Sequence, residues 1–240
     1  MVEVKDLVKK FGGFTAVDGI SFRVDKGEIF GLLGENGAGK TTTLRMLATM
    51  LKPTSGQAIL GGFDTVKEPE KVRAHIGILF GGETGLYDRL TAAENISYFG
   101  ELNSMDKADI KERTRQLSDV FGMQDFLDRR ASKLSKGMKQ KVAFARSIIH
   151  SPDIMLFDEP TSGLDVSAAR EVQEFILNCR AEGKTIIFSS HTMSEVDKLC
   201  DRIGIIHKGR LVETGTIEGI KEKYGDEDLE EIFIRLAGAK

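Results

Sequence analysis

Gly34-Glu35-Asn36-Gly37-Ala38-Gly39-Lys40-Thr41 fits the pattern G-x-x-x-x-G-K-[ST], in which glycines let backbone N–H groups face phosphate oxygens. Lys40 is expected to reach β- and γ-phosphates as a point charge, and Thr41 to put its hydroxyl on Mg²⁺. The flanks stand in the order this loop needs. Residues 28–33, Glu-Ile-Phe-Gly-Leu-Leu, are a short apolar run suited to a buried strand, and residues 42–51 carry apolar side chains at helical spacing. Strand, glycine loop and helix together favour a phosphate site over a glycine-rich turn between core elements.

Upstream, Ile20-Ser21-Phe22-Arg23-Val24 alternates as a half-buried strand does, and Asp25-Lys26-Gly27 is a turn. Further strands are expected at residues 56–62 and 76–80. Short strands joined by turns suggest an antiparallel β layer beside a parallel core. From Thr91 the character changes: Thr91-Ala92-Ala93-Glu94 fits a capping box, and the charge-mixed residues 106–121 have periodic apolar positions. This middle region, about 83–150, reads as a helical subdomain. Beyond it, strands at 153–157, 184–189 and 202–207 alternate with helices near 166–181 and 193–200, which implies a parallel sheet. Gly183 stands where a helix C-terminus is expected, and Lys208-Gly209 suits a hairpin turn.

Ile154-Met155-Leu156-Phe157-Asp158-Glu159 is an apolar strand ending in two carboxylates. Asp158 is expected in the Mg²⁺ shell and Glu159 to polarise the attacking water. Acid pairs at strand ends are common; the phosphate loop upstream is what gives this one a task. Between the two motifs, Leu134-Ser135-Lys136-Gly137-Met138-Lys139-Gln140 precedes a helix-compatible run to residue 150. Ser135 is a good N-cap. Lys136 and Lys139 sit in the first turn, where the helix dipole disfavours cations, and a bound anion would account for them.

The composition suits one compact module. The 240 residues are 40% hydrophobic and 30% charged, and 34 Lys plus Arg against 37 Asp plus Glu give a net charge of −3. No global field recruits nucleic acid or an anionic membrane. Cys179 and Cys200 lack metal spacing and read as packing residues of a reducing compartment. The N-terminus has no signal-peptide pattern and no apolar run approaches the roughly 18 residues of a membrane span, so a membrane role is expected through a partner.

In their order, the loop 34–41, the segment 134–140, the strand ending Asp158-Glu159, Ser162-Gly163-Leu164-Asp165 and His191 resemble the ATP-binding-cassette family over nearly the whole chain. The segment Leu-Ser-Lys-Gly-Met here corresponds to that family's signature Leu-Ser-Gly-Gly-Gln. Residues 80–87 and 229–236 resemble the ATPase subunits of bacterial sodium and drug exporters. The resemblance implies an α/β fold: a P-loop NTPase parallel-sheet core with an N-terminal antiparallel β layer and an inserted α-helical subdomain. Residues 1–82 and 151–215 would form the core with its β layer, and about 216–240 a helical tail.

The resemblance also implies an ATP- and Mg²⁺-dependent ATPase that drives export through a separate integral-membrane permease, held at the cytoplasmic face of the membrane. Phe11 would stack on adenine, though a lone aromatic equally packs on a core. Gly34, Asn36, Gly37, Gly39, Lys40, Thr41 and Thr42 would hold the phosphates. His191 would contact the γ-phosphate beside Glu159, where a bare histidine more often caps or packs. Ser135 and Gly137 would act in trans on ATP held by a second copy, and Asp165 would join that contact, or cap the helix that follows. The unit would be a homodimer with two ATP at the interface. Three positions depart from the family pattern: Gly82 stands where a metal-touching glutamine is usual, with Glu83 as a substitute or a solvated loop carboxylate, and Lys136 and Met138 replace Gly and Gln. A soluble ATPase acting on ribosomes or DNA is the second reading, although such relatives usually carry two cassettes or a coiled-coil insertion. A P-loop kinase would need an acceptor lid instead of the signature.

Overall fold

The computed structural model describes residues 1–80, 85–225 and 228–238. The chain begins with two long strands, β1 (Val2–Phe11) and β2 (Phe14–Val24), followed by β3 (Ile29–Leu33), α1 (Lys40–Leu47), β4 (Ser55–Leu60), β5 (Phe63–Asp64), α2 (Pro69–His75) and β6 (Ile76–Leu79). A helical stretch follows: α3 (Ala92–Leu102), α4 (Lys107–Phe121) and α5 (Lys136–Ile148). Then come β7 (Ile154–Asp158), α6 (Val166–Ala181), β8 (Thr185–Ser190), α7 (Met193–Leu199), β9 (Arg202–His207), β10 (Arg210–Thr216), α8 (Ile217–Lys223) and α9 (Leu229–Ala237).

One sheet runs β10-β9-β3-β8-β7-β6, parallel except for the β9–β10 hairpin, whose two-residue turn is Lys208-Gly209. Its central strands β3, β7 and β8 are buried on both faces, and their period of two divides one core from the other. Ile29 and Leu33 of β3, Met155 and Phe157 of β7, and Ile186 and Phe188 of β8 face the helices, where Phe121, Phe144 and Phe175 pack. Phe30, Leu32, Leu156 and Ile187 face the other way, toward α1 and the second sheet. That second sheet runs β2-β1-β4-β5 and is antiparallel, as the alternation of residues 20–24 implies. The topology therefore places β3, β8 and β7 side by side, with their carboxyl ends, and the loops that leave them, at one edge.

Several elements depart from expectation. The N-terminal strands are long, because β1 serves as the central partner of both β2 and β4. Helix α1 stops at Leu47, since Thr49 takes a left-handed φ of 61° and the chain turns before Leu51. Helix α2, started by Pro69 at its first position, is short and buries only Val72, too little for a periodic signal. In the segment expected as a helical tail from about residue 216, α8 starts at Ile217, because Thr216 still pairs with Arg202. Thr91 and Glu94 make the expected reciprocal cap, Glu94 N–H to Thr91 Oγ1 at 3.1 Å and Thr91 N–H to Glu94 Oε2 at 2.7 Å. Cys179 and Cys200 are free, and burial pushes the Cys179 thiol up to about 12 and that of Cys200 well above its ordinary value, so both act as packing groups.

β1 bulges at Asp6, whose φ is 44°, and β4 opposes the bulge with Gly56 at φ 83°. A Cβ on Gly56 would lie 2.7 Å from Leu7 Cα and drive into the Asp6 carbonyl. Gly56→Ala is expected to cost about 2 kcal/mol or more, read as a lower urea midpoint at unchanged slope.

Candidate nucleotide site

The loop between β3 and α1 ends at Gly39, which caps α1 with φ 113° and no side-chain bond, so the first N–H groups of the helix stay available to an anion. Glycine is required there: a Cβ would also come 2.6 Å from the Ala16 carbonyl oxygen. Neighbouring backbone fixes the loop, with Ala38 N–H on Glu35 O at 3.1 Å and Gly209 N–H on Ala38 O at 2.9 Å. Lys40 is buried, and its ammonium donates to Gly34 O at 2.6 Å and Glu35 O at 3.0 Å. Burial pushes the Lys40 ammonium below its ordinary value, outweighing the opposing pull of Glu159, Asp158 and Glu35. A buried cation of this kind is matched to an incoming anionic group.

The carboxylates come from β7. Asp158 is buried, and its oxygens accept from Thr41 Oγ1 at 2.8 and 3.0 Å and from Ser189 Oγ at 2.6 Å. Ser189, not read from the sequence, links the two acidic positions: its Oγ also accepts the Glu159 N–H at 3.0 Å, and its carbonyl accepts the same N–H at 3.2 Å. Held this way, Glu159 takes φ 47°, a left-handed conformation uncommon for a non-glycine residue. Its Oε1 lies 3.2 Å from His191 Nδ1 and 3.9 Å from Lys40 Nζ. Asp158 and Thr41 offer hard oxygen donors in contact with each other, and among the described residues Asp158 makes no ion pair. That donor set fits Mg²⁺.

A cavity of about 300 Å³ opens over this cluster. Of the residues singled out in the sequence, Phe11, Asn36, Gly37, Gly39, Lys40, Thr41, Thr42 and Glu159 line it. Phe14 lines it as well, exposed and paired across the hairpin with Phe11, while Lys9 Nζ sits 5.0 Å over the Phe11 ring. Phe11 therefore belongs to the cavity rim and not to the core. Phe14, an aromatic beside a Gly-Gly turn, has no sequence pattern of its own that marks it. Gly34 contributes its carbonyl to Lys40, and its lack of a side chain admits the Ile206 carbonyl, which would lie 2.5 Å from a Cβ.

Ser135, Gly137 and Asp165 do not line this cavity. Ser135 caps α5, accepting Met138 N–H at 3.2 Å, and Asp165 caps α6, accepting Ala168 N–H at 2.9 Å. Both capping readings hold. Gly137 faces open space. Of the two first-turn lysines of α5, Lys139 pairs with Asp88 at 3.5 Å, and the end of the Lys136 side chain lies beside Gly163. Gly82 and Glu83 lie outside the described residues.

A glycine loop between strand and helix, beside a parallel strand ending in Asp158-Glu159, defines a P-loop nucleoside triphosphatase. The ABC transporter (ABC_tran) family pattern matches residues 17–162. The ABC transporter ATP-binding protein NatA of Bacillus subtilis is 53% identical over 219 residues, 91% of this chain and 89% of that protein. The probable multidrug ABC transporter ATP-binding protein YbhF of Escherichia coli is 38% identical over 241 residues, 98% of this chain but 41% of that protein. The dimeric structure of a post-hydrolysis state of the ATP-binding cassette MJ0796, bound to ADP and Pi, superposes with a TM-score of 0.83 at 25% identity over 90% of this chain and 99% of that one. The chain belongs to the ABC transporter family, as an ATP-binding subunit with ATPase activity. Among the described residues no helix is long and apolar enough to cross a membrane.

Proposed function

We propose that this ATPase powers efflux, of sodium ions or of drugs, through a separate integral-membrane permease, and that it works as a homodimer with two ATP at the interface. The observation that carries the hydrolytic part is the meeting of Glu159, His191 and Lys40 beside the Asp158–Thr41 pair. Glu159 orients and polarises the attacking water, and His191, 3.2 Å from it, holds that geometry against the γ-phosphate. Lys40 and the N–H groups of α1 neutralise charge on the transferring phosphoryl group. Mg²⁺, held by Thr41 and Asp158, would supply Lewis-acid stabilisation of the same charge.

The export half draws on the multidrug relative and on the resemblance of residues 80–87 and 229–236 to exporter ATPase subunits. The dimer draws on the cassette seen as a dimer after hydrolysis, and on this chain's own surface. Ser135 and Gly137 are accessible at the start of α5, and Val166, next to Asp165, is 88% exposed, an apolar side chain suited to cover by a second copy. Residues 1–82 and 151–215 would move as the core and 83–150 as the helical subdomain, with binding closing the dimer and hydrolysis opening it. The subunit would sit at the cytoplasmic face of the membrane, with the transported substrate bound in the permease. Affinity capture of the chain from detergent extracts is expected to recover a multi-span membrane protein. Recovery with ribosomes or DNA, and no membrane protein, would instead support the second reading.

A further inference from the structure

Thr192-Met193-Ser194-Glu195 reads as a capping box at the start of α7, in which Glu195 would turn back onto the Thr192 N–H. The structure does something else. The Thr192 side chain caps nothing, and the Thr192 N–H donates to Ser190 Oγ at 3.0 Å. Glu195, 5% exposed, accepts from Thr161 Oγ1 at 2.8 Å and from Ser190 Oγ at 2.8 Å. Those two hydroxyls belong to the two arms of the site. Thr161 lies between Glu159 and Asp165 on the segment leaving β7; Ser190 ends β8 immediately before His191.

A buried carboxylate among neutral partners is costly, and among the described residues Glu195 makes no ion pair. A capping box would have left the same side chain at the surface. Local rules are broken in this way where a position does something besides stabilise the fold. We propose that Glu195 is a positioning residue for hydrolysis: by fastening the Thr161 arm to the Ser190 arm it sets the separation at which Glu159 and His191 meet. This rests on Glu159 and His191 being the hydrolytic pair. Glu195 is not among the residues that line the cavity, so its removal loosens the geometry of the reacting groups and leaves the phosphate loop intact.

The test is steady-state ATPase activity of Glu195→Ala, Glu195→Gln and Thr161→Val, with Glu159→Gln alongside. Glu195→Ala is expected to lower kcat by about 10- to 100-fold with KM for ATP within about twofold, the split of a group that acts on geometry and not on binding. Glu195→Gln is expected to keep kcat within about threefold, because an amide can accept from one hydroxyl and donate to the other. Thr161→Val is expected to slow turnover, and to add little on top of Glu195→Ala. Wild-type kcat in Glu195→Ala, a Gln variant as slow as the Ala variant, or multiplying losses in the double variant would each overturn the proposal. If Glu195→Ala does not fold, Thr161→Val decides: slower turnover at unchanged KM supports the role, and wild-type turnover removes it. An inactive Glu159→Gln beside a normal Glu195→Ala removes only the positioning role, whereas an active Glu159→Gln removes the hydrolytic pair beneath it.

Discussion

Glu159→Gln is expected to cut ATP turnover by about 10²- to 10⁴-fold, the range of a lost general base, while ATP still binds. The reason is how little else the change disturbs. The left-handed backbone at Glu159 is held by its N–H on Ser189 O and Oγ, contacts that do not involve the side chain. A glutamine has nearly the same shape and leaves an oxygen facing His191, but it cannot take a proton from water. The phosphate loop, Thr41 and Asp158 are untouched. Isothermal titration with ATP beside a phosphate-release assay separates the two effects. Turnover near the wild-type rate would remove Glu159 from the chemistry.

Lys40→Ala is expected to act earlier, on binding itself. The ammonium is buried and already desolvated, so its contact with phosphate avoids much of the hydration penalty an exposed lysine would meet. A hydrogen bond to a charged group contributes roughly 1.5–3 kcal/mol, which corresponds to about a 10- to 100-fold weaker affinity on its loss. Truncation also leaves the Gly34 and Glu35 carbonyls without their donor, so the loop itself loosens. Titration with a fluorescent ATP analogue reads this directly. Affinity equal to that of the wild type would mean that Lys40 serves the loop and not the ligand.

The phosphate loop was legible because its chemistry is contiguous in sequence: the same eight residues supply the turn, the N–H groups and the cation. The parallel sheet was legible from strands that alternate with helices, and α3 from its reciprocal cap. Ser189 was not, since nothing local says that β8 lies beside β7 in a register that pairs it with Asp158. Glu195 was hidden more thoroughly, by a pattern that fits a capping box and folds otherwise. Phe14 needed the hairpin register that sets it opposite Phe11. Ser135 and Asp165 show the reverse limit: within one chain each is accounted for as a helix cap, and the second task proposed for them involves another copy.

The central claim is that the cavity over Lys40 and Glu159 is half of a site. Light scattering of purified Glu159→Gln, with and without saturating Mg²⁺ and ATP, tests it most directly. The expected result is the mass of two chains with ATP and of one chain without it, with the ATP-bound dimer lost when Ser135→Arg is added to block the exposed start of α5. A variant that binds ATP to saturation and remains at the mass of one chain would contradict it.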